Sequence, residues 1–157
     1  MCTNKKFTPN EQHKVAAFQH VLYEIQMFTT LPVSSGHPLV SNCITEAFLL
    51  HARVLCDFFQ KSRYKDDVIC SDYGFEQRSL EIEQDIEARF DKCLAHLTYS
   101  RACFTDDTRK WLLHHFQPAL LLRIKEFLAN ITSKCALPLL PQELAEAKTI
   151  LGKLENS

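Results

Sequence analysis

The chain has 157 residues, of which 46% are hydrophobic and 24% are charged, and its net charge is -1 at pH 7. This composition is ordinary for one globular domain and excludes both a disordered chain and a nucleic-acid surface built on bulk positive charge, though not a local basic groove. It contains 3 Gly against 11 Phe, too few turn glycines for a β-sheet protein of this size. We therefore predict a single all-α domain over residues 1–157.

The cysteines and the N-terminal sequence predict the cellular compartment of the protein. The seven cysteines are odd in number and include no Cys-x-x-Cys pair. The opening Met-Cys-Thr-Asn-Lys-Lys has no apolar signal-peptide core, and no apolar run is expected to approach the roughly 18 residues of a membrane span. We expect reduced thiols in a cytoplasmic protein that has no membrane partner.

Two helices are predicted in the first part of the chain. Thr8-Pro9-Asn10-Glu11 combines a capping box with proline at the first helical position, so the first helix is predicted from about Pro9 to Thr30. Two prolines and a glycine make 31–38 a loop. The second helix is predicted to begin near Ser41 or Asn42. Its apolar face consists of Ile44, Phe48, Leu55, Phe58 and Phe59.

Further helices follow a long irregular segment. Residues 63–75 show neither the helical nor the strand period, and irregular segments of this length are often functional. A third helix with an acidic outer face is predicted from about Arg78 to Thr98. Thr105-Asp106-Asp107 is a predicted cap for a fourth helix that breaks or kinks at Pro118. With helices at 119–131 and 142–154, the pattern predicts an antiparallel up-and-down bundle of five or six helices.

The second helix places three polar residues, His51, Arg53 and Asp57, in apolar surroundings. Arg53 and Asp57 are one turn apart and can form an ion pair, and Glu46 lies two turns before Arg53. Partly buried ion pairs between helices often fix packing, so one interpretation is a structural network and the other is support for a binding site. His51 is interpreted as a hydrogen-bonded interior histidine rather than a ligand.

The end of the predicted third helix carries a second polar group. Arg89, Lys92 and His96 line one side, and Arg101 follows. Arg89 and His96 would project from the same face about 10 Å apart along the axis. Arginine can bind phosphate in a bidentate manner and histidine can transfer a proton near neutral pH, which suffices for metal-free RNA cleavage through the 2′-hydroxyl. The alternative is an exposed helix end whose cations complement the helix dipole.

Three pieces of the chain resemble an uncharacterised family of small bacterial helical proteins. Its pattern is a helix reading roughly SFLxHARxLxDFF, an acidic loop and a closing HLTxxR. The matching pieces here are Glu46 to Phe59, Asp66-Asp67-Val68 with Asp72, and His96-Leu97-Thr98-Tyr99-Ser100-Arg101.

That family is similar in outline to the HEPN superfamily of nucleotide-binding helical bundles, many of which are dimeric RNases with an Arg-x(4 to 6)-His motif. Arg89 to His96 fits with six intervening residues and Arg109 to His114 with four. Arg109 and His114 would point to different sides of a helix, so we prefer the first pair. A polar residue usually follows the arginine in the RNase pattern, whereas Phe90 follows it here.

The resemblance implies a HEPN-like RNA- or phosphate-binding protein, with metal-independent ribonuclease activity in a defence or toxin system. Its catalytic residues would be His96, Arg89 and Arg101, in a cleft shared across a homodimer. The supporting residues would be His51, Arg53, Asp57 and Lys92.

The alternative is a non-catalytic interaction or regulatory module with a protein partner, in which the same polar residues are structural. We expect no metal and no cofactor, because paired-histidine motifs, phosphate loops and serine elbows are absent from the sequence. A metal site around His51, Asp57 and the loop carboxylates is the least favoured interpretation.

Overall fold

The structure is a computed structural model that describes residues 8–31, 36–60, 64, 66–90, 94 and 111–156. These residues are helical or irregular, with no strand among them, which confirms the predicted all-α class. Two 3₁₀ turns, at Cys70–Tyr73 and Leu113–His115, occur between the α-helices. The α-helices are α1 (Glu11–Thr30), α2 (Pro38–Gln60), α3 (Gln84–Arg89), α4 (Gln117–Lys134) and α5 (Pro141–Glu155).

Four of these helices are long and α3 has only 6 residues, whereas the sequence predicts five or six helices of bundle length. The predicted third helix does not begin at Arg78, because residues 75–83 are not helical. The backbone N–H of Leu80 instead donates to Oε1 of Gln60 at 3.1 Å, which ties this segment to the end of α2. Most of the remaining predicted third and fourth helices, residues 91–93 and 95–110, lie outside the described residues.

Local capping explains where the helices begin. The Asn10 side chain accepts a hydrogen bond from the His13 N–H at 2.9 Å, and Nδ1 of His13 accepts one from the Asn10 N–H at 3.3 Å. This reciprocal pair satisfies two backbone donors that α1 leaves open. Pro38 lies in the first turn of α2 and Pro118 in that of α4, where a missing N–H costs nothing. Pro118 therefore starts a helix rather than breaking one, and α2 begins three residues before the predicted Ser41.

Helices α1 and α2 pack as an antiparallel pair. Near the end of α1, the ring of Phe28 stacks on Phe48 with 4.8 Å between centroids. One turn earlier in α1, Glu24 meets His51, which lies further along α2. Later residues of one helix thus meet earlier residues of the other.

Helices α2 and α4 run parallel, which differs from the predicted up-and-down order. The Phe48 ring lies 6.2 Å from Phe116, just before α4, and the Phe58 ring lies 5.2 Å from Phe127 within it. The connection 61–116 therefore leads from the last turn of α2 back to the level of Phe48, near the middle of that helix. A long crossover of this kind allows two neighbouring helices of a bundle to point the same way. Helix α5 packs against α4 and α1 and completes the ring of four long helices.

The irregular segment that the sequence marks as a functional loop supplies part of the core. Cys70, Tyr73 and Phe75 are buried in it, and the Tyr73 hydroxyl donates to the Lys14 carbonyl at 3.0 Å. Gly74 has φ 72, a left-handed conformation that glycine adopts without steric cost. The segment is thus anchored to α1 by a partly buried hydrogen bond and to the core by aromatic packing.

Candidate functional site

The structure describes four of the residues predicted for the site and not the other three. His51, Arg53 and Asp57 lie on α2, and Arg89 is the last residue of α3. Lys92, His96 and Arg101 lie outside the described residues.

His51 lies at the packed face between α1 and α2. The residue is 8% exposed, and its Nδ1 is 2.7 Å from Oε2 of Glu24. The ring of Tyr23 meets the imidazole edge-on, with 5.7 Å between centroids. This agrees with the interpretation of His51 as a hydrogen-bonded interior histidine.

Glu24 is a site residue that the sequence analysis missed. It lies among Val21, Leu22 and Ile25 within the apolar stripe of α1. A carboxylate in such a position usually has a partner on the facing helix, because burial without one is costly. The signal was present in α1, but only the facing helix could identify His51 as the partner.

Arg53 and Asp57 are half-buried on the side of α2, and Glu46 is exposed two turns earlier. Arg53 and Asp57 each interact with another group of the protein. Their one-turn separation lets them contribute to a single network along this edge of the helix.

A cleft of about 370 Å³ lies between α1, α2 and the loop at 67–69. Most of its wall is apolar, and three carboxylates and one imidazole supply the polar part. Carboxylates at this density produce a negative potential, which favours an amine or guanidinium and disfavours phosphate. The described residues contain no group of three or more His, Cys, Asp or Glu able to hold a metal ion. The polar lining residues are His20, Glu24, Asp57 and Asp67.

Arg89 belongs to a different part of the molecule. Its guanidinium carbon lies 4.4 Å from the centroid of the Trp111 ring, a cation–π geometry. The adjacent Phe90 stacks on the same tryptophan and also contacts Phe116 at the start of α4. Arg89 is not among the residues that line the cleft near Asp57. The structure therefore does not bring Arg89 together with the polar residues of α2 in one cleft.

A second polar group that the sequence analysis missed is centred on Arg123 of α4. This arginine is 4% exposed, and its guanidinium carbon lies 4.0 Å from the centroid of Phe75. It donates to Glu126 at 2.9 Å and to the carbonyl oxygen of Glu76. Arg78 donates to both carboxylate oxygens of Glu126, at 2.9 and 2.7 Å. The apolar run Ala119-Leu120-Leu121-Leu122 before Arg123 was the available signal for a buried cation.

Competing effects set the protonation of Glu126. Burial alone would raise its pKa, but the hydrogen bond from Arg123 and the charge of Arg78 outweigh burial, so the pKa is lowered from 4.5. Glu126 is therefore ionised at neutral pH and holds two arginines. The group connects the segment 76–78 to α4 and has a structural role.

The outer face of α2 carries several exposed apolar side chains. Leu50 is 49% exposed, Val40 47% and Val54 40%, and Cys43 is also exposed. An 18-residue window of α2 has a mean hydropathy of 1.3 with 33% of it buried, so by length and composition this helix could span a membrane. The sequence analysis expected no run of that length. Core helices of soluble proteins pass the same test.

Comparison with known proteins finds no family model, no curated protein and no solved structure that matches the chain. The resemblance to the HEPN superfamily stays a prediction.

Proposed function

We propose that the chain is a non-catalytic helical interaction module that binds another helix through the outer face of α2. The observation that carries this proposal is a row of apolar residues on the outer face of α2, called here the α2 stripe. It consists of Val40, Cys43, Ala47, Leu50 and Val54, spaced alternately three and four residues apart; Ala47 is half-buried and the other four are exposed.

The spacing of the α2 stripe is that of a helix–helix seam. Apolar residues that alternate at three and four positions form one line along a helix, and a partner helix packs along that line. Val40 and Val54 are separated by about 21 Å along the axis, since each residue adds 1.5 Å. An apolar row of this length on a solvent-facing surface is typical of a binding surface.

The polar residues of α2 support the proposal because their contacts lie within the chain. His51 is bonded to Glu24 between two packed helices, and Arg53 and Asp57 interact with other groups of the protein. The cleft beside them is lined by carboxylates, which suits a phosphate ligand poorly. These residues then hold α1 and α2 in the arrangement that leaves the stripe exposed.

Site-specific photo-crosslinking in cells tests the proposal. A benzophenone residue in place of Leu50 should yield a protein adduct, whereas the same residue in place of Leu122 should not. Leu122 is a matched control because it is a leucine of α4 with 57% exposure. Adducts at both positions or at neither would overturn the proposal.

A second candidate function is that of a HEPN-like RNA- or phosphate-binding protein, built on the bundle of five or six helices that the sequence predicts. The observation that favours it is the guanidinium of Arg89, whose carbon lies over the Trp111 ring at 4.4 Å from its centroid. Arginines stacked on aromatic rings are frequent in phosphate and nucleic-acid recognition. Arg89 would then act with His96 and Arg101 in a metal-independent cleavage of RNA.

This second function is tested by incubating the purified chain with RNA in the presence of a chelator. His96→Ala and Arg89→Ala should each abolish cleavage, and His96→Ala should do so with the thermal midpoint almost unchanged. His114→Ala should cleave normally, because His114 belongs to the disfavoured arginine–histidine pair. A wild-type chain that leaves RNA intact would exclude the ribonuclease.

A further inference from the structure

The interaction surface on α2 carries its own charge pattern. If Val40, Ala47 and Val54 occupy the a positions of a heptad, then Cys43 and Leu50 occupy d. The g positions, which flank the seam on one side, are then Glu46 and Arg53. One acidic and one basic residue on the same flank form a pattern that can complement itself.

We infer that the partner of the α2 stripe is α2 of a second copy of this chain, packed in the antiparallel direction. The inference rests on the function proposed above and names its partner. In an antiparallel pair the two g flanks lie next to each other. Glu46 of each copy then lies opposite Arg53 of the other, which forms two symmetric ion pairs. Arg53 already interacts with another group of its own chain, and its guanidinium has five N–H donors, so it can keep that interaction and also bind Glu46 of the second copy.

The antiparallel register also matches the sizes of the apolar residues. In such a pair each a residue packs in a layer with a d residue of the other helix. Leu50 therefore packs on Ala47, and Val54 packs on Cys43. A large residue opposite a small one lets two helices approach closely.

A parallel pair has no such complementarity. Its g flank would lie next to the e flank of the other copy, which consists of Ile44, His51 and Phe58. His51 and Phe58 are buried on the side facing α1 and cannot receive Glu46 or Arg53. The charges of Glu46 and Arg53 therefore favour a second copy of the chain as the partner, and they favour the antiparallel direction for it.

Charge reversal gives the first test, read by sedimentation equilibrium of the full chain. Glu46→Arg and Arg53→Glu each turn both ion pairs into like-charge pairs, so each variant alone should dimerise about tenfold more weakly. An equimolar mixture of the two variants should recover dimerisation, because every flank pair is then oppositely charged. Leu50→Glu should raise the dissociation constant about a hundredfold, and Leu122→Glu should leave it unchanged.

Cysteine crosslinking gives the second test, because it reads direction independently of charge. In the antiparallel register the two Cys43 residues are about 16 Å apart along the axis, which is too far for a disulfide. Oxidation should therefore leave the wild-type chain uncrosslinked through Cys43. Val54→Cys should form a covalent dimer, and adding Cys43→Ser should abolish it.

The outcomes separate this inference from the function on which it rests. If the chain stays monomeric while the crosslinker at position 50 still captures a different protein, the inference of a second copy is wrong and the proposed interaction module stands. The same conclusion follows if the mixture of Glu46→Arg and Arg53→Glu does not recover dimerisation. If instead the chain binds phosphatidylcholine vesicles, Leu50→Glu abolishes that binding, and no protein adduct forms, then both the interaction module and the second copy are wrong.

Discussion

Nδ1 of His51 and Oε2 of Glu24 are 2.7 Å apart across the boundary between α1 and α2. The two residues are 27 positions apart in the chain, so the contact exists only when both helices are docked. It lies one turn from the Phe28–Phe48 stack. A polar bond therefore sets which residues of the two helices face each other within an otherwise apolar contact.

Removing either partner of this bond should destabilise the fold, and removing both should cost less than the two losses combined. For Glu24→Ala, His51→Ala and the double variant, we expect a coupling energy of about 1 kcal/mol. Urea denaturation of the three variants measures it. Glu11→Ala combined with His51→Ala is the control, because Glu11 is exposed in the first turn of α1 and the losses should add. Additive losses for Glu24 and His51 would show that the contact contributes nothing.

Arg53 and Asp57 should behave as an ion pair in which an isolated charge is costly. Arg53→Met or Asp57→Ala alone leaves a half-buried charge without its neighbour, so each should destabilise the fold more than the double variant does. Thermal unfolding of the three variants decides this. Single losses that sum to the double loss would mean that the two side chains act independently.

The thiol of Cys70 should make the stability fall at high pH. The side chain is fully buried, and burial raises its pKa to about 11 from 9.0, although the positive charge of Arg123 acts in the opposite direction. The folded state therefore holds its proton more tightly than the unfolded state. The stabilisation is complete below the ordinary pKa and is lost as the pH rises through the raised one, a loss of about 2 to 3 kcal/mol.

The measurement for Cys70 is the difference in unfolding free energy between the wild-type chain and Cys70→Ala. That difference should shrink between about pH 8 and about pH 11, which separates the thiol from the lysines and tyrosines that titrate in both proteins. In the native chain at neutral pH, a maleimide should spare Cys70, because this thiol is buried. A difference that does not depend on pH would contradict the assignment.

Arg123 should be the most costly charged residue to replace among those described. Arg123→Met removes the bonds to Glu126 and to the Glu76 carbonyl, for which we expect a loss of about 2 to 4 kcal/mol. Arg78→Met is the control: Arg78 is half-exposed and donates to the same carboxylate, so the loss should stay below about 1 kcal/mol. Equal losses would contradict the central role of the buried arginine.

The same group predicts a response to acid. Because its folded-state pKa is lowered, Glu126 contributes stability above its ordinary pKa, and that contribution is lost as the pH falls through the lowered value. Arg123→Met removes one of the groups that lower the pKa. Its stability should therefore fall less steeply with acid than that of the wild-type chain, as urea titrations at several pH values would show.

The sequence predicted best those features that depend on local chemistry. The beginning of α1 was predicted to within two residues, but its capping box is formed by Asn10 and His13 rather than by Thr8 and Glu11. The extent of α4 follows from its apolar period. The predicted direction of α4 relative to α2 was wrong, because this direction depends on how the connection 61–116 returns along the bundle. No local pattern contains that information.

The candidate site divides in the same way. His51 could be recognised as an interior residue from its surroundings on α2, but its partner Glu24 lies on another helix. The sequence analysis assigned Phe48, Leu55, Phe58 and Phe59 to the apolar face of the second helix, and these residues are buried. It did not single out the stripe residues from Val40 to Val54, because apolar residues on the outer face give no signal of a partner.

The parallel course of α2 and α4 has a consequence for the order of folding. The α1–α2 and α4–α5 pairs are each joined by a short loop, so each hairpin can form while the rest of the chain is disordered. Bringing the hairpins together requires closing the whole connection 61–116, and its entropy is lost before Phe58 and Phe127 gain their contact. We therefore expect docking of the two hairpins to limit the folding rate, with substitutions at the Phe58–Phe127 contact acting mainly on unfolding.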